Sequence, residues 1–356
     1  MFGTKVIFYA YKIFESFIET WNEMVEIFFV ICRQIEKKEC CCPDGQNRDR
    51  MEKEKMVEFG LSVCIPIYNW SVVDLVNVIR SQSLSLGFDF EILLVDDCSS
   101  SHKEENRSLR SLSHVNYTEL EQNVGRSAIR NRLAESAKYN ILIFMDCDTK
   151  VISDRFIADY LSNARFPVVV GGYSYTEDLQ NESCRLRWVY GKRREERRAV
   201  SRSGRPNRSF STFNFMIRKD VFKLVRFDED LSGYGHEDTL FGWELRLRNI
   251  MIKHIDNPLL HLSLDDSPTY IRKTENSLNN LWIIYNRMTD KKGFCEEIKV
   301  LKCYVALRHW GLSVLLTMFF PLMKRLIYRN LLSSRPNMFF FDIYKLGILN
   351  ETASSC

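Results

Sequence analysis

NILIFMDCD, residues 140–148, opens on the apolar run ILIFM and closes on Asp146-Cys147-Asp148. Such a run suits a strand buried on both faces, and carboxylates at the end of a buried strand are costly unless paired, hydrogen-bonded or metal-bound. The flanking sequence repeats the pattern. LSVCIPIY (61–68), EILLVDD (91–97) and VNYTELE (115–121) read as strands, and PVVVGGYSY (167–175) as another. Between them SVVDLVNVIRSQS (71–83), SLRSLSH (108–114), GRSAIRNRLAESAK (125–138) and SDRFIADYLSNA (153–164) read as helices. Apolar strands alternating with helices predict an α/β domain with a doubly wound, mostly parallel sheet covered on both faces.

In such a sheet, ligands gather at the carboxyl ends of the strands. The first strand ends in Pro66-Ile67-Tyr68-Asn69, the second in Asp96-Asp97 and the fourth in Asp146-x-Asp148, so two strands bring acidic pairs to one edge. Oxygen ligands of this kind suit a hard divalent cation, which would neutralise a diphosphate and improve it as a leaving group. No G-x-x-x-x-G-K-[ST] loop and no G-x-G-x-x-G after the first strand is present, so a nucleotide would be held through metal and carboxylates.

A second acidic feature lies downstream, in LSGYGHEDTLFGWELRLRN (231–249). Leu240, Trp243, Leu247 and Ile250 recur at helical spacing and predict a helix from Glu237. His236-Glu237-Asp238 then stands in its first turn, where the helix dipole favours carboxylates and is expected to keep Asp238 ionised at neutral pH. Capping is the ordinary role of such carboxylates, and Gly233 and Gly235 allow a tight backbone turn before them. STFNFMIRKDVF (211–222) reads as strand then helix, IKHIDNPLLHL (252–262) as strand plus turn, and 270–290 and 296–330 as helical.

IPIYN (65–69), LLVDDCSS (93–100), NVGRSAIRN (123–131) and FMDCD (144–148) occur in the order and spacing of family-two glycosyltransferases of the GT-A fold. The chain resembles that family over roughly residues 60–265. The stretch from STFNFMIRKDVF to GYGHEDTLFG is similar to the acceptor side of related galactosyltransferases. The run from RWVYGKRRE to HIDNPLLHL looks most like Bacteroidetes-type bacterial members. The resemblance implies that Asp97 recognises the nucleotide base, with Pro66, Tyr68 and Asn69 lining the same pocket. It implies that Gly125 and Arg130 pack under the nucleotide or contact it, that Asp146 contacts ribose or metal, and that Asp148 ligates the metal. Asp238 matches the proposed catalytic base, Glu237 stands beside it on the acceptor, and His261 matches a histidine that completes the metal site. A nitrogen ligand shifts the preferred ion from Mg²⁺ toward Mn²⁺. Cys147 departs from the small residue usual at its position.

The activity implied is inverting, metal-dependent transfer from a nucleotide-sugar, most simply a UDP-sugar, to a hydroxyl of a glycan or lipid-linked acceptor in surface polysaccharide assembly. Arg187-Trp188 precedes the base and lacks the Q-x-x-R-W setting of processive synthases, which favours single-sugar transfer. Two other readings stay open. A nucleotidyltransferase would carry a Gly-rich basic loop after the first strand, where this chain has IPIYNWS. A catalytically silent sugar-binding or scaffold protein would have lost one of Asp97, Asp146, Asp148 and Asp238, and all four are present.

The chain has 356 residues, 45% hydrophobic and 27% charged, with net charge +4, which is ordinary globular composition without a nucleic-acid footprint. Its 11 cysteines include a consecutive Cys40-Cys41-Cys42 and show no secreted framework, so they read as reduced thiols in the cytoplasm. Three regions are expected. Residues 1–58 form an amphipathic helix and linker, with Met51 or Met56 as an alternative start. Residues 59–265 form the glycosyltransferase domain, and 266–356 a helical extension. Within the last, WGLSVLLTMFFPLM (310–323) is too short to span a bilayer. Flanking Lys302, Arg308, Lys324, Arg325 and Arg329 fit peripheral contact with the inner face of the membrane, and a buried helix is the other reading. The basic stretch 185–208, with ten Lys/Arg against two Glu, is read as a loop near the active site that closes over the donor diphosphate; a solvated helix face and attraction of an anionic acceptor are the other readings.

Overall fold

A computed structural model describes residues 60–231 and 235–355. The expected N-terminal helix and linker, and Gly233, lie outside the described residues. Strand β1 (Gly60–Ile67) pairs in parallel with β2 (Asp89–Asp96) on one side and β4 (Ile141–Met145) on the other. Strand β3 (Val115–Glu119) extends the parallel set beyond β2. Because these four strands run the same way, Ile67, Asp96 and Met145 finish at one edge.

The periodicity of β4 shows why the sheet must be covered twice. Ile141, Ile143 and Met145 point into one core, with Val76 and Ile79 of α1 (Val73–Leu86) and Phe156 and Tyr160 of α4 (Phe156–Leu161). Leu142 and Phe144 point the other way, onto Ile129 and Leu133 of α3 (Arg126–Ser136). A short helix α2 (Lys103–Arg107) lies between β2 and β3.

Beyond β4 the sheet becomes mixed. Its order is β3-β2-β1-β4-β8-β6-β9, where β8 (Asn214–Arg218) is antiparallel to both neighbours, β4 and β6 (Val168–Val170), and β6 is parallel to β9 (Ile252–His254). The single strand expected over 167–175 is divided. After β6, Gly171 and Gly172 carry the chain into β7 (Tyr173–Ser174), part of a separate three-stranded sheet ordered β5-β10-β7. A side chain at Gly171 would sit 2.4 Å from Asn214 Nδ2 and from the Asn257 carbonyl, and Gly172 has φ +101°. Only glycine fits that handover.

The basic stretch is mostly regular rather than a loop. It forms α5 (Arg185–Tyr190), a π-turn, and α6 (Ala199–Ser203). Arg202 is 3% exposed and donates to the carbonyls of Val170, Gly171 and Ile255 and to Nδ1 of His254, so part of the positive charge is structural. Helix α7 (Lys219–Leu224) follows β8.

The predicted helix from Glu237 is α8 (Glu237–Leu247). It lies between two cores: Phe241 and Leu245 pack with the sheet, and Leu240 and Trp243 with the C-terminal helices. Leu247, expected on the buried face, is 53% exposed, because the buried positions are 240, 241, 243 and 245. The second core is built by α9 (Ser267–Arg287), α10 (Lys291–Glu297), α11 (Lys299–His309), α12 (Ser313–Leu331) and α13 (Met338–Ser354). The helix expected over 296–330 is broken into α11 and α12, bent by 120°. Among the described residues no single helix is long and apolar enough to cross a bilayer. α12 buries Leu316, Phe320, Ile327 and Leu331 and leaves Val314, Met318, Leu322 and Leu326 outward, at 61, 62, 73 and 51% exposure.

Candidate active site

The ends of β1 and β2 are knitted together before any ligand arrives. Asp97 donates its N–H to the Ile67 carbonyl at 2.8 Å. Its carboxylate accepts from the N–H groups of Val124 at 2.7 Å and Gly125 at 3.1 Å. Gly125, at φ +84°, starts α3. Asp97 thus fixes the approach to that helix. Asp96 accepts from Ser99 N–H and Tyr117 O–H and is fully buried. Asn69 clasps the following loop, accepting on Oδ1 from Ser100 N–H at 2.7 Å. Pro66 is partly buried and Tyr68 is 55% exposed at the same strand end.

The second sheet brings a histidine to the DxD segment. β5 (Thr149–Val151) pairs antiparallel with β10 (Leu259–His261), so Thr149 faces His261, and Leu262 donates to the Asp148 carbonyl at 2.9 Å. His261 Nε2 then lies 3.4 Å from Asp148 Oδ2. The imidazole is held edge-on by the rings of Tyr175 and Phe213. Arg187 approaches its Nδ1 at 3.5 Å. Burial pushes the Asp148 carboxyl up, but the His261 hydrogen bond and charge and the charge of Arg126 outweigh it, holding Asp148 below the ordinary value and ionised.

A carboxylate oxygen and an imidazole nitrogen at this spacing suit Mn²⁺ or Mg²⁺ when a diphosphate supplies the remaining ligands. Asp146 does not complete that pair. Its Oδ1 accepts from Arg130 at 2.7 Å, and among the described residues no three His, Cys, Asp or Glu side chains converge on a metal position. Of the expected set Asp146, Asp148 and His261, the structure brings Asp148 and His261 side by side, while Asp146 turns Oδ1 to Arg130. Cys147 is half-buried beside them, and its thiol is pushed up to about 12 by desolvation and then by Asp148.

Arg130 joins the two acidic regions. Its guanidinium is 2% exposed, pairs with Asp146 and lies 3.9 Å from Glu237 Oε1. Arg126, one turn earlier on α3, is 3.7 Å from the same Glu237 oxygen. The start of α8 is thereby drawn toward the end of β4. Asp238 follows, its Oδ1 accepting from Thr239 N–H at 2.6 Å and Thr239 Oγ1 at 3.3 Å. Asp238 is less fully ionised at neutral pH than the dipole alone implies. Burial and then the Glu237 charge raise its carboxyl to about 7, against the pull of Thr239 and Arg130. His236 caps the helix at φ +70°, bonds Thr239 Oγ1 at 3.0 Å, and is lowered to about 4 by burial.

Between these elements lies a cleft of about 240 Å³, lined by Gly125, Arg126, Ser127, Glu229, Glu237 and Asn280 among others. Of the predicted residues, Gly125 and Glu237 line it. Pro66, Tyr68, Asn69 and Asp97 at the strand edge, and Arg130, Asp146, Asp148, Asp238 and His261, lie outside its lining. Arg126 and Arg187 were not singled out as site residues. Arg126 was visible as the first residue of a helix behind a glycine, whereas Arg187 reaches His261 only through the tertiary fold.

Residues 62–226 match the model of glycosyl transferase family 2. A chondroitin synthase of Escherichia coli is 23% identical over 249 residues, 60% of this chain and 36% of that protein, so the chain spans about a third of that relative's length. Among solved structures, S. aureus TarS 1–349 in complex with UDP-GlcNAc is 16% identical with a TM-score of 0.45, covering 83% of this chain and 92% of that one. The mannosyltransferase PcManGT from Pyrobaculum calidifontis, in complex with GDP-Man and Mn²⁺, is 11% identical with a TM-score of 0.47, covering 83% and 86%.

Proposed function

We propose, from the match of residues 62–226 to glycosyl transferase family 2, that the chain transfers a single sugar, with inversion, from a UDP-sugar to a hydroxyl of a glycan or lipid-linked acceptor. The observation that carries this reading is the convergence at Arg130, which holds Asp146 at the end of β4 and approaches Glu237 at the start of α8. Arg130 thereby links Asp146, which this reading assigns to the donor side, with Glu237, which it assigns to the acceptor side. The similarity to a chondroitin synthase supports a glycan acceptor and polysaccharide assembly.

Asp238 is the general base in this scheme. With its carboxyl near 7, it is half ionised at neutral pH and holds a proton firmly enough to take one from an attacking hydroxyl. Glu237, steadied by Arg126 and Arg130, is suited to orient the acceptor. Asp148 and His261 are the residues to hold Mn²⁺ or Mg²⁺, and when bound such an ion offsets the charge on the departing diphosphate. Asp97 keeps the Val124–Gly125 turn in place, and Arg130 keeps Asp146 oriented from beneath.

The outward apolar face of α12, beside exposed Arg325 and Arg329, supports peripheral contact with an anionic bilayer, and free thiols at Cys64, Cys184 and Cys295 suit the cytoplasmic side. The test of the transferase reading is thermal unfolding with UDP or GDP, with and without Mn²⁺. Saturating nucleotide at 100 times its dissociation constant adds about 2.7 kcal/mol. UDP should raise the midpoint only with the ion, and not in Asp148→Ala. No shift with any nucleotide in any metal condition overturns it.

A further inference from the structure

A second pocket, of about 180 Å³, opens on the other flank of α8, between that helix and the start of α11. Asn207, Arg208, Thr239, Trp243, Glu297 and Lys299 line it. We propose that this pocket seats an anionic group, a carboxylate or a phosphate, carried by the acceptor; the proposal rests on the transferase reading above.

Three observations support it. First, positive charge is crowded here. Lys299 is pushed below its ordinary value by burial and then by Arg208, Arg194 and Arg205, with Asp342 opposing them. In the lining itself Arg208 and Lys299 are cationic, and the one carboxylate there, Glu297, pairs with Arg246. Second, Lys299 begins the 11-residue helix α11, whose cap residue Ile298 contributes no side-chain acceptor. The dipole of that helix adds to the same positive field. Third, the pocket touches the candidate base through one residue. Thr239 lines it and also holds Asp238 Oδ1 with its N–H and hydroxyl. An acceptor with its hydroxyl at Asp238 can therefore extend a charged substituent past Thr239 toward Arg208 and Lys299. The basic stretch 185–208 supplies three of these cations, Arg194, Arg205 and Arg208, which gives that charge a role beyond the structural one of Arg202.

Calorimetric titration tests the proposal with three probes, glucuronate, inorganic phosphate and neutral methyl glucoside, on wild type, Arg208→Met and Lys299→Gln. Lys299 belongs to neither core, so its variant stays informative if Arg208→Met does not fold. At least one anion should bind wild type at least tenfold more tightly than methyl glucoside. Either substitution should weaken that anion about fivefold or more. Glucuronate alone responding assigns a uronic-acid acceptor, and phosphate alone a phosphoester. Equal binding of charged and neutral probes, or variants that bind the anion as wild type does, overturns the proposal. The UDP-induced thermal shift, measured on the same proteins, separates the two failures. Its absence in wild type sinks the transferase reading. Its presence with no anion preference sinks only the pocket.

Discussion

His261 Nε2 stands 3.4 Å from Asp148 Oδ2, placed there by the pairing of β5 with β10 rather than by any sequence proximity. The pair shares one position for a proton or a divalent ion. Asp148→Ala and His261→Ala are each expected to lose at least about a hundredfold in kcat, in line with removing a charge-stabilising group. A chelator should reproduce the loss in wild type, and Mn²⁺ should restore it. Transfer unaffected by chelator and by both substitutions would remove the metal from the scheme.

Asp238 gives activity a pH dependence of defined sign. As a base it works only when ionised, so kcat/KM should rise with pH through about 7. Asp238→Asn should cost roughly 10²- to 10⁴-fold in kcat and abolish that limb. Stability moves oppositely. The folded carboxyl is raised from 3.8 to about 7, so its contribution is full below 3.8 and lost as pH rises through 7. The unfolding midpoint of Asp238→Asn relative to wild type should therefore climb between pH 4 and pH 8.

Arg130 is 2% exposed and bonded to Asp146 at 2.7 Å. Arg130→Met keeps the apolar stem and removes the charge. It should destabilise the fold by about 1.5–3 kcal/mol in urea unfolding, the usual loss of a hydrogen bond to a charged group. It should also depress transfer, since Asp146 is no longer oriented. An unchanged midpoint would show the ion pair to be energetically idle.

His254 is lowered to about 4 by burial, with Arg202 donating to its Nδ1 and its Nε2 donating to the Pro206 carbonyl. The unfolded chain binds this proton near 6.5 and the folded one near 4. Stability from His254 is therefore present above 6.5 and lost as pH falls toward 4. In thermal scans, His254→Gln should show a shallower decline over that window than wild type. Parallel curves would refute the assignment.

The outward face of α12 should bind anionic vesicles. Met318→Glu with Leu322→Glu removes two exposed apolar side chains at 62 and 73% exposure. Each is worth on the order of 1.5–3 kcal/mol when fully buried, so co-sedimentation should fall by more than about tenfold. Equal sedimentation of variant and wild type would move the contact elsewhere.

The parallel half of the sheet and the acidic strand end could be read from residues 61–148, because each strand is a continuous apolar run with a helix beside it. The second sheet could not. Its strands are two or three residues long, too short for any periodicity, and its members are far apart in the chain. The antiparallel insertion of β8 was hidden for a related reason: an apolar strand carries no mark of its direction. Asp238 and Glu237 were visible as residues, but the proton affinity of Asp238 was not. That depends on α8 being enclosed between two cores, which only the folded chain reveals. Arg187 behind His261 is likewise a product of packing.

Gly235, at φ +98°, comes so near α9 that an added side-chain carbon would lie 2.4 Å from Ser277 Cβ. Gly235, three residues before Asp238, therefore leans on a helix beyond the stretch that sequence similarity covers. A fragment ending at residue 265 would retain every strand and every acidic residue of the site, yet it would lose the surface against which the turn is set. The smallest working enzyme is thus longer than the part that looks like one. Diversification of the C-terminal helices becomes a route to retuning the reaction without touching a single reacting group.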